Sequence, residues 1–499
     1  MANLRDVMST PAVSARVDTP LVAAIRLMHQ RRVGSVVIVD GVRPVGIVTE
    51  RDVLGAVDDG DLADLKVSEV MSAPVDTVAV DQPLQETLQT MRERGYRHLP
   101  VVEHDELVGV VSLRDLARIA TIDPPEIPRG LRGVVVTDTE VGDVRGEEGF
   151  YHYRQYSAID LAERRSFEDV ARLLVDGALP ASHAERDAFA AELAAAAAIP
   201  PAVQRALEPI ATTTEPYAGL LSAVPLIAAH DGMGKLVDID AATRRRDAIR
   251  LIAVVPALLT ALHRLRAGLR PVEPRPELGY AANYLWLLHG EEPSPERAAA
   301  IERYLIATVD HGFNASTFTA RVVASTAADF GSCITGALAA LSGPLHGGAP
   351  SRALDLLDEI RSVDNVDTVI RPMIENGERI MGFGHAVYRT DDPRSLMLRT
   401  VAENLGGPTA ALAVAVERHI VELLEELKPG RRLYPNVEFY AGVVMEQCGI
   451  PRSMFTPTFA TSRVVGWSAN ILEQAADGRL IRPAARYVGA PPPQPVPAP

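Results

Sequence analysis

The apolar residues of this chain keep two different rhythms. Over the first 120 residues, short β-branched runs such as "GSVVIVD" and "RHLPVVE" follow stretches with 3/4 apolar spacing, "PLVAAIRLMHQRR" and "PLQETLQTMRERG". That order predicts a β-α-β-β-α unit. It occurs twice. "VMSTPAV" begins at Val7 and "VMSAPVD" at Val70, "VDTPL" at Val17 and "VDQPL" at Val80, "GIVTERDV" at Gly46 and "GVVSLRDL" at Gly109. Every offset is 63 without a gap, so residues of about 5–56 and 68–119 are two copies of one small α/β unit. "DPPEIPRGLRG" (123–133) reads as a stiff connector closing a front module over 1–122. "GVVVTDTEVGDVRGEEGFYHYRQY" then predicts a β-ribbon with glycine turns.

From there the spacing is helical almost throughout. "SFEDVARLLVDGALP" has a Ser-x-x-Asp start and a glycine stop, and "PERAAAIERYLIATVDHGF" and "ALAVAVERHIVELLEEL" follow in the same manner. A mostly α-helical body without a fixed-period repeat favours an enzyme. The proline-rich "APPPQPVPAP" (490–499) predicts a disordered tail.

Composition narrows the function. A hydrophobic content of 47% and a net charge of −15 over 499 residues fit a multidomain globular protein and argue against a nucleic-acid binder. Cys333 and Cys448 alone make a disulfide framework or zinc site improbable and point to a reducing, cytoplasmic setting. The start "MANLRDVMST" lacks a signal-peptide layout, and the apolar run "LIAVVPALLTAL" (251–262) is short for a bilayer and carries Pro256, so no membrane partner is expected.

Two sets of residues bear on chemistry. Thr49-x-x-Asp52 and Ser112-x-x-Asp115 sit between the last strand and last helix of each copy. Each reads as a capping box; each also reads as a phosphate and ribose site at a helix start. Arg97 and His98 in the second copy correspond to Gly34 and Ser35 in the first, so the two sites need not be equivalent. In the body, His311 ("DHGFNAST"), His346 ("GPLHGGA") and His385 ("GFGHAVYRTDDPR") each have a glycine within two residues, which lets a ligand approach the backbone closely. No close metal-ligand spacing, GxSxG or P-loop joins them, leaving acid–base chemistry with arginines nearby, which suits a carboxylate-bearing substrate.

The front copies resemble tandem CBS domains, a paired nucleotide-sensing module, which implies AMP, ADP or ATP at Thr49, Asp52, Ser112 and Asp115. From about Gly133 to Gly489 the strings "DHGFNAST", "GPLHGGA", "GFGHAVYRTDDPR", "LYPNVEFYAGVV", "MFTPTFATSRVVGW" and "RPAARYVG" resemble the citrate synthase family, including its 2-methylcitrate synthases. The implied fold is a helical catalytic body over 134–489, a large domain with a small closing domain at roughly 350–460. The implied reaction condenses an acyl-CoA with oxaloacetate and then hydrolyses the thioester, with no permanently bound cofactor and no metal. In the catalytic roles stand His346, His385 and Glu438. The oxaloacetate ligands are His311, Arg394, Arg463 and Arg482, the last supplied across a homodimer or a larger homo-oligomer, and Arg389 faces coenzyme A. Acetyl-CoA is the first substrate expected. Propionyl-CoA, giving 2-methylcitrate, is an alternative, as is a nucleotide sensor on a fold that has lost turnover. Glu438 departs from the family's usual aspartate; its extra methylene reaches about 1.3 Å further, where a misplacement near 1 Å can cost about 10²-fold in rate.

Overall fold

The 63-residue repeat reappears in the computed structural model element by element. It describes residues 4–59, 62–113, 115–116, 129–131, 133–344, 346, 349–378, 380–384, 388, 390–428, 433–490 and 492–494, without the side chains of 6, 58, 59, 85, 129 and 349–351. Helix Leu21–Arg31 corresponds to Leu84–Arg94, strand Ser35–Asp40 to His98–Glu103, and strand Arg43–Thr49 to Glu106–Ser112. In each copy a short first strand pairs parallel to the second and the second pairs antiparallel to the third. The third strand's register shifts at equivalent places, Ile38/Val39 and Val101/Val102.

The copies exchange their leading segments. Ser9 bridges to Val110 of the second copy, and Ser72 bridges to Ile47 of the first. Met8 lies over Gly109 and Met71 over Gly46 so closely that a Cβ on either glycine would fall within 2.6 Å of the sulfur. Leu4 joins the second copy's core, which makes one interlocked body of the two repeats. Chain clustering closes this unit at Val135, and the second unit runs from Val136 to Pro499. Most of the proline-rich connector, residues 123–128 and 132, lies outside the described residues, as do residues 491 and 495–499 of the tail.

The second unit opens with a small antiparallel ribbon, Gly142–Arg145, Phe150–Tyr153 and Tyr156–Ser157. The expected strand over "GVVV" does not form: Val134–Val136 is extended without strand pairing, and Val135 is 84% exposed. A β-branched run becomes a strand only where a neighbour supplies hydrogen bonds. The rest is helical and encloses one large apolar core. Ser166 caps helix Phe167–Asp176 by accepting from Asp169 N, and Gly177 ends it in the left-handed conformation, as the sequence predicts.

The apolar run 251–262 lies within the 26-residue helix Ala241–Arg266, which continues through Pro256. By length and composition this helix could cross a membrane, yet 78% of its apolar window is buried within the protein. Proline removes the hydrogen bond to the carbonyl four residues back. Here that carbonyl, Ile252 O, accepts instead from the Tyr280 hydroxyl at 3.2 Å. Both cysteines are free and buried.

Candidate active site

Five segments of the second unit converge on one polar region inside this apolar core. The turn after helix Pro295–Thr308 carries Asp310 and His311, and Asn314 caps the next helix, Ala315–Ser325, through Ser316 N and Thr317 N. His346 sits in the turn after helix Phe330–Leu341. Arg394 opens helix Pro393–Leu405, Glu438 opens helix Val437–Gln447, and Arg463 lies within helix Phe455–Asp477.

His346 Nε2 is 2.8 Å from the Ser316 hydroxyl, which also accepts from Trp467 Nε1 at 3.2 Å. The Ser316 hydroxyl itself donates to the Asn314 amide oxygen at 2.8 Å, which fixes the serine beside the histidine. Burial first, and the Arg463 charge second, push the His346 pKa down to about 4. The ring is neutral at pH 7.

The arginines are buried and oriented. Asp392 takes Arg394 in a fork, Nε at 3.0 Å and Nη2 at 2.8 Å, and also accepts Val437 N at 3.1 Å. One carboxylate thereby ties the guanidinium to the first turn of the helix that carries Glu438. Although burial opposes the charge on Arg394, Asp392 outweighs it and holds that pKa above the usual value. Arg463 donates from Nε to Thr308 O at 2.9 Å and lies 4.5 Å above the Phe459 ring. Burial pulls its pKa down, with Asp310 resisting. Asp310 is itself buried, and its carboxyl is pushed up to about 6 despite Arg463. His311 Nε2 meets the Tyr388 hydroxyl at 3.0 Å and its ring lies against Tyr151.

The glycine loop before His385 is fastened to the segment before Glu438. Gly384 N donates to Tyr434 O, Asn436 N to Gly382 O, both at 2.8 Å, and Asn436 Nδ2 to Gly384 O at 3.0 Å. Gly382 has a φ of +86°, and a Cβ there would come 2.8 Å from the Phe439 ring. Only glycine allows that approach.

Residues 130–484 match the citrate synthase, C-terminal domain family. The chain belongs to the citrate synthase family. Similar proteins include the citrate synthase of Deinococcus radiodurans, 37% identical over 73% of this chain and 96% of that one, and citrate synthase 2 of Bacillus subtilis, 40% identical over 72% and 95%. Among solved structures, citrate synthase from Thermoplasma acidophilum, a ternary complex with carboxymethyl coenzyme A and oxaloacetate, superposes with a TM-score of 0.69 at 32% identity, covering 74% of this chain and 98% of that one. Residues 4–59 and 67–121 match the CBS domain.

Within this citrate synthase fold the predicted site residues fall into three groups. His311, His346, Arg394, Glu438 and Arg463 come from segments that meet. His385 and Arg389 lie outside the described residues. Arg482 is exposed on the irregular segment after the last helix. Sequence reading missed Ser316, Trp467, Asp392, Tyr388 and Asp310. Asp392 carried a signal, an aspartate just before Pro-Arg, which is a helix N-cap; the others gain their roles only in three dimensions.

In the front unit Thr49 Oγ1 and Thr49 N both donate to Asp52 Oδ2 at 2.7 Å. Ser112 Oγ donates to Asp115 Oδ2 at 2.5 Å and accepts from Asp115 N at 3.1 Å. The capping geometry therefore forms in both copies. A cavity of about 270 Å³ adjoins the first pair, lined by Thr49, Asp52, Asp76, Tyr96 and His98. Of the second pair, Ser112 lines a wider cavity.

Proposed function

We propose that this chain condenses acetyl-CoA with oxaloacetate to citrate and free CoA, and that an adenine nucleotide held by the CBS pair modulates that turnover. The observation that carries the reading is His346: a neutral imidazole, fixed by Ser316 beside two buried arginines, in a fold shared with citrate synthases. Glu438 takes a proton from the acetyl methyl, while the His346 N–H stabilises the oxygen of the forming enol. The enol carbon then adds to the ketone carbon of oxaloacetate. By the family resemblance His385 donates to that ketone oxygen. Water cleaves the resulting thioester and releases CoA. Arg394, Arg463 and His311 hold the oxaloacetate carboxylates, as planar forks suit carboxylates. The exposed Arg482 fits service in a second copy's site, which makes a homodimer the working unit.

Release of the CoA thiol from acetyl-CoA and oxaloacetate, with and without AMP or ATP, tests the whole reading. Turnover that responds to a nucleotide supports it. Faster turnover with propionyl-CoA would assign the 2-methylcitrate reaction instead, and no thiol from either substrate would leave a nucleotide sensor on a synthase fold.

A further inference from the structure

Tyr304 is 1% exposed, deep in the core, yet its hydroxyl hydrogen-bonds to no described residue. Other core tyrosines differ. Tyr151 donates to Ala307 O, Tyr153 to Ile306 O, and Tyr284 pairs with the Thr458 hydroxyl. A buried tyrosine hydroxyl normally finds a partner, and phenylalanine would fill the same space without an unmet polar group.

Its position explains what the partner would be. Tyr304 lies one helical turn before Thr308 and on the same face; its carbonyl accepts the Thr308 hydroxyl at 2.8 Å. Thr308 O in turn takes Arg463 Nε, and the Thr308 hydroxyl meets Ser462 at 3.1 Å, so this face packs against the helix carrying Arg463. Burial raises the phenol pKa, with Arg463 and Arg394 acting against that rise and Glu438 adding to it. The phenol is thus a neutral donor within reach of the charges of Arg463, Arg394 and Glu438.

Building on the oxaloacetate reading of this pocket, we propose that the Tyr304 hydroxyl is a substrate-binding group that donates a hydrogen bond to a carboxylate of oxaloacetate held by Arg394 and Arg463. It belongs with the dicarboxylate, not with the acyl-CoA.

The test uses the full chain. Tyr304→Phe should raise KM for oxaloacetate about tenfold, leave KM for acetyl-CoA unchanged, and weaken the protection that oxaloacetate gives against thermal unfolding. Without ligand its unfolding temperature should equal that of wild type. Tyr284→Phe, which breaks a satisfied core hydrogen bond, should lower the unfolding temperature and leave KM for oxaloacetate alone. Unchanged oxaloacetate KM and protection in Tyr304→Phe, beside an active wild type, overturn this inference only. Wild type that is neither active with oxaloacetate nor stabilised by it overturns both this inference and the functional reading beneath it.

Discussion

The front unit and the synthase body use the same polar side chains in opposite ways. In the front unit a hydroxyl and a carboxylate three residues apart satisfy each other, at Thr49–Asp52 and again at Ser112–Asp115. The result is local, duplicated and half-buried. In the body, partners lie far apart in sequence: His346 and Ser316 are 30 residues apart, Ser316 and Trp467 are 151, and Arg463 reaches Thr308 across 155. Burial there pushes His346 down to about 4 and Asp310 up to about 6. A unit built from local pairs can vary one copy without disturbing the other. A reaction centre built from distant, desolvated groups cannot change one member without disturbing its neighbours.

The sharpest break of this contrast is Glu438→Gln. Removing the base should lower kcat about 10³-fold, within the range of general-base contributions, while the nucleotide-induced shift in unfolding temperature persists. Steady-state thiol release and thermal melts with AMP check both halves, and a kcat within tenfold of wild type would take Glu438 out of the base role. Next comes Glu438→Asp. Asp392 and Asn436 fix the start of the Glu438 helix through Val437 N and Glu438 N. Withdrawing the carboxylate by about 1 Å from that fixed frame should cost about 10² in kcat. An aspartate variant as fast as wild type would show that the frame is not matched to the longer side chain.

How much of this was readable from the chain follows the same contrast. The duplicated unit was legible down to strand order, because the 63-residue offset in sequence is the offset in structure, and the T/S-x-x-D pairs are local. In the body, helix positions followed from 3/4 spacing and caps, and the glycines beside His311, His346 and His385 marked the loops. The residues that hold His346 and Arg463 in place were not legible. Ser316 and Asp310 look ordinary in sequence, and their importance arises only when helix Phe455–Asp477 brings Trp467 and Arg463 against them. Val134–Val136 misled because a β-branched run records a preference, and strand formation needs a partner.

Within the front unit, the two pairs offer a smaller effect. Asp52 lines the cavity of about 270 Å³ and Asp115 does not. Asp52→Ala should weaken AMP binding about tenfold by calorimetry, and Asp115→Ala less than twofold. Asp52→Ala strips Thr49 N of its acceptor while Asp115→Ala keeps the bond from the residue-115 N–H to Ser112 Oγ, so Asp52→Ala should also cost about 1 kcal/mol more stability. Equal binding losses would show that the copies act as equivalent sites, contrary to the asymmetry at Arg97–His98 against Gly34–Ser35.

The smallest effect tests burial in the body directly. His346 has a folded pKa of about 4, below its ordinary 6.5, so the folded state binds fewer protons and stability falls as pH drops from 6.5 towards 4. Asp310 works the other way. Its carboxyl, raised from 3.8 to about 6, gives a stabilisation that is complete below 3.8 and lost as pH rises through 6. In wild type these two slopes largely cancel between pH 6 and pH 4. His346→Gln removes one of them and leaves the other. The variant's unfolding temperature should therefore rise relative to wild type on going from pH 6.5 to pH 4.5, by about 2–4 °C, the shift that about 1 kcal/mol produces in a domain of moderate size. If the His346→Gln and wild-type curves run parallel, the imidazole is not desolvated, and the contrast between a local front pair and a buried reaction centre loses its physical basis.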